Sequence, residues 1–145
     1  MDQVAVFRHH RDILEALAAR YRLQLIYSFG SRAREALEFI EGRKLQLTPG
    51  ASDLDIGVKS STTLTVSEKV DLALELEELF AVSRVDLVVL AEVSTFLALE
   101  IVSGELLFAE DPYHEAEYQL YIMRKAAELM PYQRAKERMV LGLDP

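Results

Sequence analysis

The sequence predicts a protein of the α/β (α+β) class, with a mixed β-sheet flanked by helices. Segments with apolar residues at helical spacing alternate along the chain with short runs rich in leucine, aromatic and β-branched residues, which are typical of buried strands. Turn-forming residues separate most of these segments. The lengths of the connections are compatible with parallel and antiparallel pairs of strands, so we expect a mixed sheet with helices mainly on one side.

Four predicted strands alternate with helical segments. The strands cover Leu23–Phe29, Asp53–Lys59, Val85–Leu90 and Glu105–Ala109. The helices cover about Phe7–Tyr21, Arg32–Glu41, Thr65–Ala81, Ser94–Gly104 and a stretch from Pro112 to about Met130. We expect Pro131 to interrupt the last helix, because proline lacks the amide hydrogen that a helix interior needs, and we expect a short final helix over Tyr132–Val140.

Capping residues mark the predicted starts of three helices. Ser31 follows the first strand and is placed to cap the second helix. Thr65 and Glu68 have the spacing of a capping box, in which each side chain bonds the backbone of the other residue. Asp111 precedes Pro112, a residue well suited to the first turn of a helix.

Length and composition predict a soluble globular protein. We expect the 145 residues to form one domain, 1–145, with a C-terminal helical extension from about residue 111. No apolar run approaches the length of a membrane span, and Met1–Gln3 lack the basic start of a signal peptide. We therefore expect a cytoplasmic location.

The charge of the chain limits its partners. The net charge is −8, which argues against broad binding to DNA or RNA because such binding needs a basic surface. A small anionic ligand remains compatible with this charge, because metal ions and a few arginines can reverse the local field. The chain has no cysteine, so disulfides and thiolate metal sites are excluded.

Three aspartates lie in or beside predicted strands that are otherwise apolar. Asp53 and Asp55 are two residues apart, so on a strand their side chains point to the same face. Asp86 is the second residue of the next strand along the chain. Buried carboxylates are costly unless a cation compensates them, and a divalent metal ion is the natural partner for three of them.

A glycine–serine turn precedes these acids. Gly30 ends the first strand, and a glycine lets the backbone approach a phosphate without interference from Cβ. The Ser31 hydroxyl and the free amide groups of the following helix could bind an anion. A phosphate-sized turn before three aspartates indicates phosphoryl or nucleotidyl transfer.

Each feature also has a plain structural interpretation. The glycine–serine turn could be an ordinary strand-to-helix connection with a serine cap. Asp53 could cap a strand while Asp55 lies in solvent. Asp86 could form an ion pair with one of three arginines, Arg32, Arg34 or Arg84.

Together these motifs resemble the DNA polymerase β nucleotidyltransferase superfamily and, more narrowly, the minimal nucleotidyltransferase (MNT) proteins. That family has a strand ending in Gly-Ser, then a helix, then Asp-x-Asp on the next strand and a further acidic residue on a later strand. The matching segments are Ile26–Arg34, Ser52–Val58 and Val85–Leu87. One departure is the long connection between the first two segments, in which 21 residues, Arg32 to Ser52, separate Ser31 from Asp53.

The resemblance implies Mg²⁺-dependent transfer of a nucleoside monophosphate, with ATP as the donor. Asp53 and Asp55 would bridge two Mg²⁺ ions about 4 Å apart, and Asp86 would hold the ion at the nucleophile. The phosphates would be bound at the glycine–serine turn, by Gly30, Ser31 and Arg32.

The resemblance also implies a partner. Family members of this size are typically encoded beside a helical HEPN ribonuclease and act as its antitoxin, in some cases by adding AMP to its tyrosine. Two alternatives remain: an antitoxin that neutralises its partner by binding alone, and a nucleotidyltransferase acting on an aminoglycoside-like small molecule. A homo- or hetero-oligomer is compatible with these roles.

Overall fold

The computed structural model describes residues 3–50 and 52–142, and this part of the chain contains five α-helices and four β-strands. The helices are α1 (Gln3–Arg20), α2 (Ala33–Ile40), α3 (Val66–Phe80), α4 (Thr95–Val102) and α5 (Pro112–Leu141). The strands are β1 (Leu23–Phe29), β2 (Leu54–Ser60), β3 (Val85–Val89) and β4 (Glu105–Ala109). Within these residues, none of the helices combines the length and the apolar character that crossing a membrane requires.

The predicted alternation of helices and strands is confirmed, and so is the capping box at the start of α3. The Thr65 hydroxyl accepts a hydrogen bond from the Glu68 amide, and the Glu68 carboxylate accepts one from the Thr65 amide. The predicted cap at Ser31 was wrong. A 3₁₀ turn, Gly30–Arg32, intervenes, and the helix starts at Ala33 without a side-chain cap.

The predicted break at Pro131 was also wrong, because α5 runs through this residue as one helix. Proline removes one helical hydrogen bond, and its ring crowds the carbonyl group four residues earlier, here that of the exposed Ala127. Residues 131–142 are all exposed, so water can reach the backbone there. The helix therefore tolerates a proline that a buried helix would not.

The sheet is mixed, as predicted, with the strand order β3-β2-β1-β4. β2 and β3 are parallel, whereas β1 is antiparallel to both of its neighbours, β2 and β4. The parallel pair needs a crossover, which α3 provides. This topology brings the carboxyl end of β1 to the same end of the sheet as the amino ends of β2 and β3. We call this end of the strands the acidic edge.

The strand register determines which side chains meet at that edge. Asp55 lies opposite Asp86 across the parallel pair, and Phe29, the last residue of β1, lies opposite Asp55. The turn that begins at Gly30 therefore starts beside Asp55. Three segments that are distant in the sequence converge at one edge of the sheet.

Helices cover both faces of the sheet, although the prediction placed them mainly on one side. The larger core lies between one face and α1, α2 and α3, and in β2 it includes Leu54, Ile56 and Val58. Alternate residues of a strand point to the opposite face, so Asp55, Gly57 and Lys59 belong to the second face. There α4 and α5 pack over a smaller core that includes Tyr27, Phe29 and Ile101.

Gly57 allows α4 to approach the sheet closely. A Cβ atom at Gly57 would lie 2.5 Å from Cγ2 of Ile101, which is fully buried. A glycine in a strand interior commonly marks such an approach. This contact lies in the middle of the second face, between the ends of β2.

We predict that Gly57→Ala destabilises the protein by about 1 to 3 kcal/mol, because the added methyl group overpacks the contact with Ile101. Urea unfolding measures this change. The double variant with Ile101→Ala is the control, because its cavity accepts the methyl group. The prediction is wrong if the two effects simply add, since neighbours that share a cavity are coupled.

Candidate active site

The three predicted catalytic aspartates lie at one edge of the sheet, and two of them, Asp53 and Asp86, share an arginine. Asp55 and Asp86 are register partners on β2 and β3, and Asp53 immediately precedes β2. The Arg84 Nε atom lies 3.5 Å from Oδ2 of Asp53 and 3.3 Å from Oδ1 of Asp86. The structural interpretation of Asp86 as an ion-pair partner therefore holds for Arg84.

Arg84 compensates the acids only in part. Its side chain is 68% exposed, and exposed ion pairs contribute little to stability because water and salt screen them. Asp55 has no lysine or arginine nitrogen within 4.0 Å in the part of the chain that the structure describes. One exposed arginine thus stands against three carboxylates.

The pKa of Asp55 reflects this excess of negative charge. Burial raises the pKa of its carboxyl above the ordinary value, and the nearby charges of Asp86, Asp53 and Glu100 raise it further. Both causes disfavour the ionised form. A cation placed among these groups would reverse the electrostatic part of the shift.

The acids offer the right donors for a magnesium site, because Mg²⁺ prefers carboxylate oxygens. Among residues 3–50 and 52–142, no three acidic, histidine or cysteine side chains are arranged closely enough to hold a metal ion. Arg84 lies between Asp53 and Asp86, and its exposed side chain can leave at little cost. The donor types suit Mg²⁺, whereas their arrangement in the described residues does not form a metal site, so metal binding by these acids stays a prediction.

Gly30 places the predicted phosphate-binding turn directly against Asp55. Its φ angle is +74°, which favours glycine, and a Cβ atom at this position would lie 2.5 Å from Oδ2 of Asp55. Any side chain here would displace the carboxylate. The need for glycine therefore comes from both the backbone conformation and the approach of Asp55.

Ser31 reaches the start of β2 instead of capping α2. Its hydroxyl lies 3.0 Å from the hydroxyl of Ser52, and both residues are exposed. Ser52, which precedes Asp53, was not among the predicted site residues. The role of Ser31 in phosphate binding stays a prediction, and Ser52 lies next to it.

Arg32 is buried and holds the long connection between α2 and β2. Only 6% of the residue is exposed, and its guanidinium donates hydrogen bonds to the carbonyl oxygens of Ser52 at 3.0 Å and Thr48 at 2.7 Å. A role of Arg32 in phosphate binding stays a prediction, which these contacts do not favour. They give it a structural role beside Asp53.

Glu35 completes this arrangement, which we call the Arg32–Glu35 clamp. Its carboxylate accepts a hydrogen bond from the Thr48 amide at 2.8 Å and lies 3.1 Å from the Lys44 ammonium and 3.4 Å from Nε of Arg32. These bonds, led by the one from Thr48, lower the pKa of Glu35 to about 2. Sequence reasoning missed the clamp, although opposite charges three residues apart are a recognisable helix pair.

A family comparison identifies the chain. The family model described as "Polymerase beta, Nucleotidyltransferase" matches residues 11–113, which is most of the chain and includes all three aspartates. The chain belongs to the polymerase β nucleotidyltransferase family. A comparison with curated proteins found no match.

Solved structures with the same fold include chains of toxin–antitoxin complexes. A toxin–antitoxin structure with AMP-PNP contains a chain 25% identical, with a TM-score of 0.69, covering 90% of this chain and 98% of that one. A complex of the tri-AMPylated Shewanella oneidensis HEPN toxin with an MNT antitoxin matches at 23% identity and a TM-score of 0.66, covering 93% and 98%. At this level of identity the second likeness is one of fold. The predicted nucleotidyltransferase fold is confirmed.

We predict that Glu35→Gln destabilises the protein by about 1 to 3 kcal/mol at pH 7, because the clamp loses charge-assisted hydrogen bonds. The pKa of Glu35 is lowered from 4.5 to about 2, so its stabilisation is present above pH 4.5 and is lost as the pH falls toward 2. Urea unfolding at pH 7 and pH 3 should show the difference from wild type shrinking. Glu38→Gln, which affects an exposed pair with Arg34 at 3.5 Å, is the control and should cost less. Equal costs for the two variants would refute the clamp.

We predict that Asp55→Asn stabilises the protein at pH 7 without metal, by up to about 1 kcal/mol, because it removes a repelled charge. The raised pKa of Asp55 means that its ionisation costs stability as the pH rises through the folded-state pKa. The gain should therefore vanish below the ordinary pKa of an aspartate. Thermal unfolding in EDTA at pH 7 and pH 3 measures it. Asp71→Asn, on the exposed face of α3, is the control, and a matching gain there would count against repulsion at the site.

Proposed function

We propose that this protein is an antitoxin that transfers AMP from ATP to a tyrosine of a HEPN ribonuclease toxin. The observation that carries the proposal is the pairing of Asp55 with Asp86 in register, beside the turn at Gly30, in a member of the nucleotidyltransferase family. A cytoplasmic location, which such a partner requires, is part of the proposal.

The choice of partner is supported by the solved structures that share the fold. One of them is a toxin–antitoxin complex with AMP-PNP, and another contains an AMPylated HEPN toxin with its MNT antitoxin. Both matched chains are covered over 98% of their length, so this chain has the size of those proteins. This likeness supports the proposal of a donor nucleotide of the ATP class and a protein acceptor.

We propose that Asp53, Asp55 and Asp86 hold Mg²⁺. When bound, the ions would neutralise the phosphates and lower the pKa of the attacking hydroxyl group. The half-exposed carboxylates of Asp53 and Asp86 face solvent at the sheet edge, where a nucleotide can enter. Arg84 pairs with Asp53 and Asp86, and its exposed side chain would have to move aside for these acids to hold a metal ion.

The protein's own groups would then position the two reactants. The turn at Gly30 lets the triphosphate approach the acids, and the Ser31 hydroxyl donates a hydrogen bond to it. The phenol oxygen of the acceptor tyrosine forms a bond to the α-phosphorus of ATP while the bond to pyrophosphate breaks. The phenol proton passes to the carboxylate of Asp86.

Neutralisation by contact alone is the second candidate, and the exposed surface of α5 favours it. This helix leaves several large apolar side chains in solvent, among them Tyr121, Met123, Tyr132 and Met139. An exposed apolar surface is a common mark of a protein interface. The two candidates differ in whether the aspartates are needed for protection.

The test is Asp86→Asn in the complex with the toxin. We expect this variant to fold, to bind the toxin and to lose several orders of magnitude in AMP transfer, because the nucleophile loses its base and its metal ligand. Transfer is measured with labelled ATP, Mg²⁺ and purified toxin, and by mass spectrometry of the toxin tyrosines. Asp12→Asn, an exposed change on α1, is the matched control.

Protection of cells from the toxin separates the two candidates. If AMP transfer neutralises the toxin, Asp86→Asn fails to protect although it still binds. Full protection by this variant, without label on the toxin, would establish neutralisation by contact. In that case Tyr121→Ser on α5 should abolish protection.

A further inference from the structure

A second pocket lies at the opposite end of the sheet from the aspartates. It is formed where β2 and β3 end and where α4 and α5 meet, and we call it the distal pocket. Its polar and aromatic lining consists of Lys59, Ser60, Thr95, Tyr118, Tyr121 and Lys125. The proposed transfer reaction assigns no role to these residues.

The distal pocket is separate from the acidic edge. Lys59 and Asp55 lie on the same face of β2 but four residues apart, which corresponds to about 13 Å along a strand. The close contact of Gly57 with Ile101 fills the space between them. A ligand in the distal pocket would therefore not be held by the aspartates.

Lys59 places an uncompensated cation in this pocket. Burial lowers the pKa of its ammonium group. The group donates a hydrogen bond to Oε1 of Gln24 and lies 5.5 Å from the centre of the Tyr118 ring. Within residues 3–50 and 52–142, no carboxylate oxygen lies within 4.0 Å of it. The ammonium group is partly buried and lacks an ion-pair partner in this part of the chain, so an anion beside it would be favoured.

Lys125 adds a second positive charge at the rim. Its ammonium group lies 5.8 Å from the centre of the Tyr121 ring, and it too has no carboxylate within 4.0 Å in the described part of the chain. The protein as a whole carries a net charge of −8, whereas the charged residues that line this pocket are the two lysines. Together they make a local site for an anion.

The remaining walls suit a planar ring. The rings of Tyr118 and Tyr121 lie 6.4 Å apart at an angle of 33°, and the floor contains the apolar side chains of Leu90, Ala98 and Ile122. Aromatic side chains bind nucleobases by stacking, with little preference for the base. The ammonium groups of Lys59 and Lys125 lie beside these same two rings, so a ring packed against the tyrosines would have both positive charges near its attached phosphate.

We propose that the distal pocket binds a nucleoside monophosphate without a metal ion. The base packs against Tyr118 and Tyr121, and the phosphate is held by Lys59 and Lys125. This site is independent of the proposed transfer reaction, because it needs neither Mg²⁺ nor the aspartates.

The experiment is a titration of the protein with AMP in EDTA. Equilibrium dialysis with labelled AMP gives the affinity and the stoichiometry, and tyrosine fluorescence is a secondary signal because two of the six tyrosines line the pocket. We expect one AMP to bind wild type and the variant Asp53→Asn with Asp55→Asn equally. Lys59→Gln with Lys125→Gln should weaken binding by at least about tenfold, or 1.4 kcal/mol. Lys136→Gln, an exposed change on α5, is the control and should bind as wild type.

Specific outcomes would overturn the proposal. Absence of AMP binding in EDTA, or its loss in the aspartate variant, would remove the distal site. Competition by inorganic phosphate as strong as that by AMP would show that the ring is not recognised. If the double lysine variant is unfolded, Lys125→Gln and Tyr121→Ser, both at exposed positions, test the same contacts, and unchanged affinity in both would overturn the proposal.

Discussion

Two aspartates that repel one another, Asp55 and Asp86, face each other across the parallel pair of β2 and β3, and the rest of the site depends on this juxtaposition. Like charges placed opposite each other in a sheet are destabilising. The fold retains them because α1, α2 and α3 cover most of the apolar face of the same strands. The stability gained on one face thus offsets the repulsion on the other, and Arg84 reduces that repulsion without removing it.

The two faces of the sheet differ in how much apolar core they contain and in where charged groups remain exposed. The first face contains most of the apolar core, so its residues are selected for packing. On the second face, α4 and α5 cover the middle, where Ile101 of α4 packs onto Gly57. Charged groups remain at both ends of this face. Asp55 at one end and Lys59 at the other lie on the same strand and carry opposite charges. Burial raises the pKa of Asp55 and lowers that of Lys59, because it disfavours the charged form of each group.

Local patterns predicted most of the fold, whereas contacts between distant segments required the structure. The capping box of Thr65 and Glu68 was predictable because its whole geometry lies within four residues. The register of Asp55 with Asp86 involves separate strands, and periodicity alone carries no information about it. The cost of burying three carboxylates and the resemblance to a family indicated that they converge, but neither gave the register. The bonds of Arg32 to Thr48 and Ser52 depend on the path of a long loop, so sequence reasoning treated this arginine as a phosphate ligand. Pro131 misled for another reason, since the rule for proline applies with less force to a helix surrounded by water.

The exposed end of α5 has a consequence for the kinetics of assembly. Three turns of helix, residues 131–142, are surrounded by solvent, and isolated helices of this length are marginal in water. This end lacks tertiary packing in the described residues, so we expect its amides to exchange with solvent faster than those of the core. A partner that docks on it must select the helical form or order it on contact, and this ordering reduces the affinity. A flexible end also increases the number of orientations in which a first encounter can succeed.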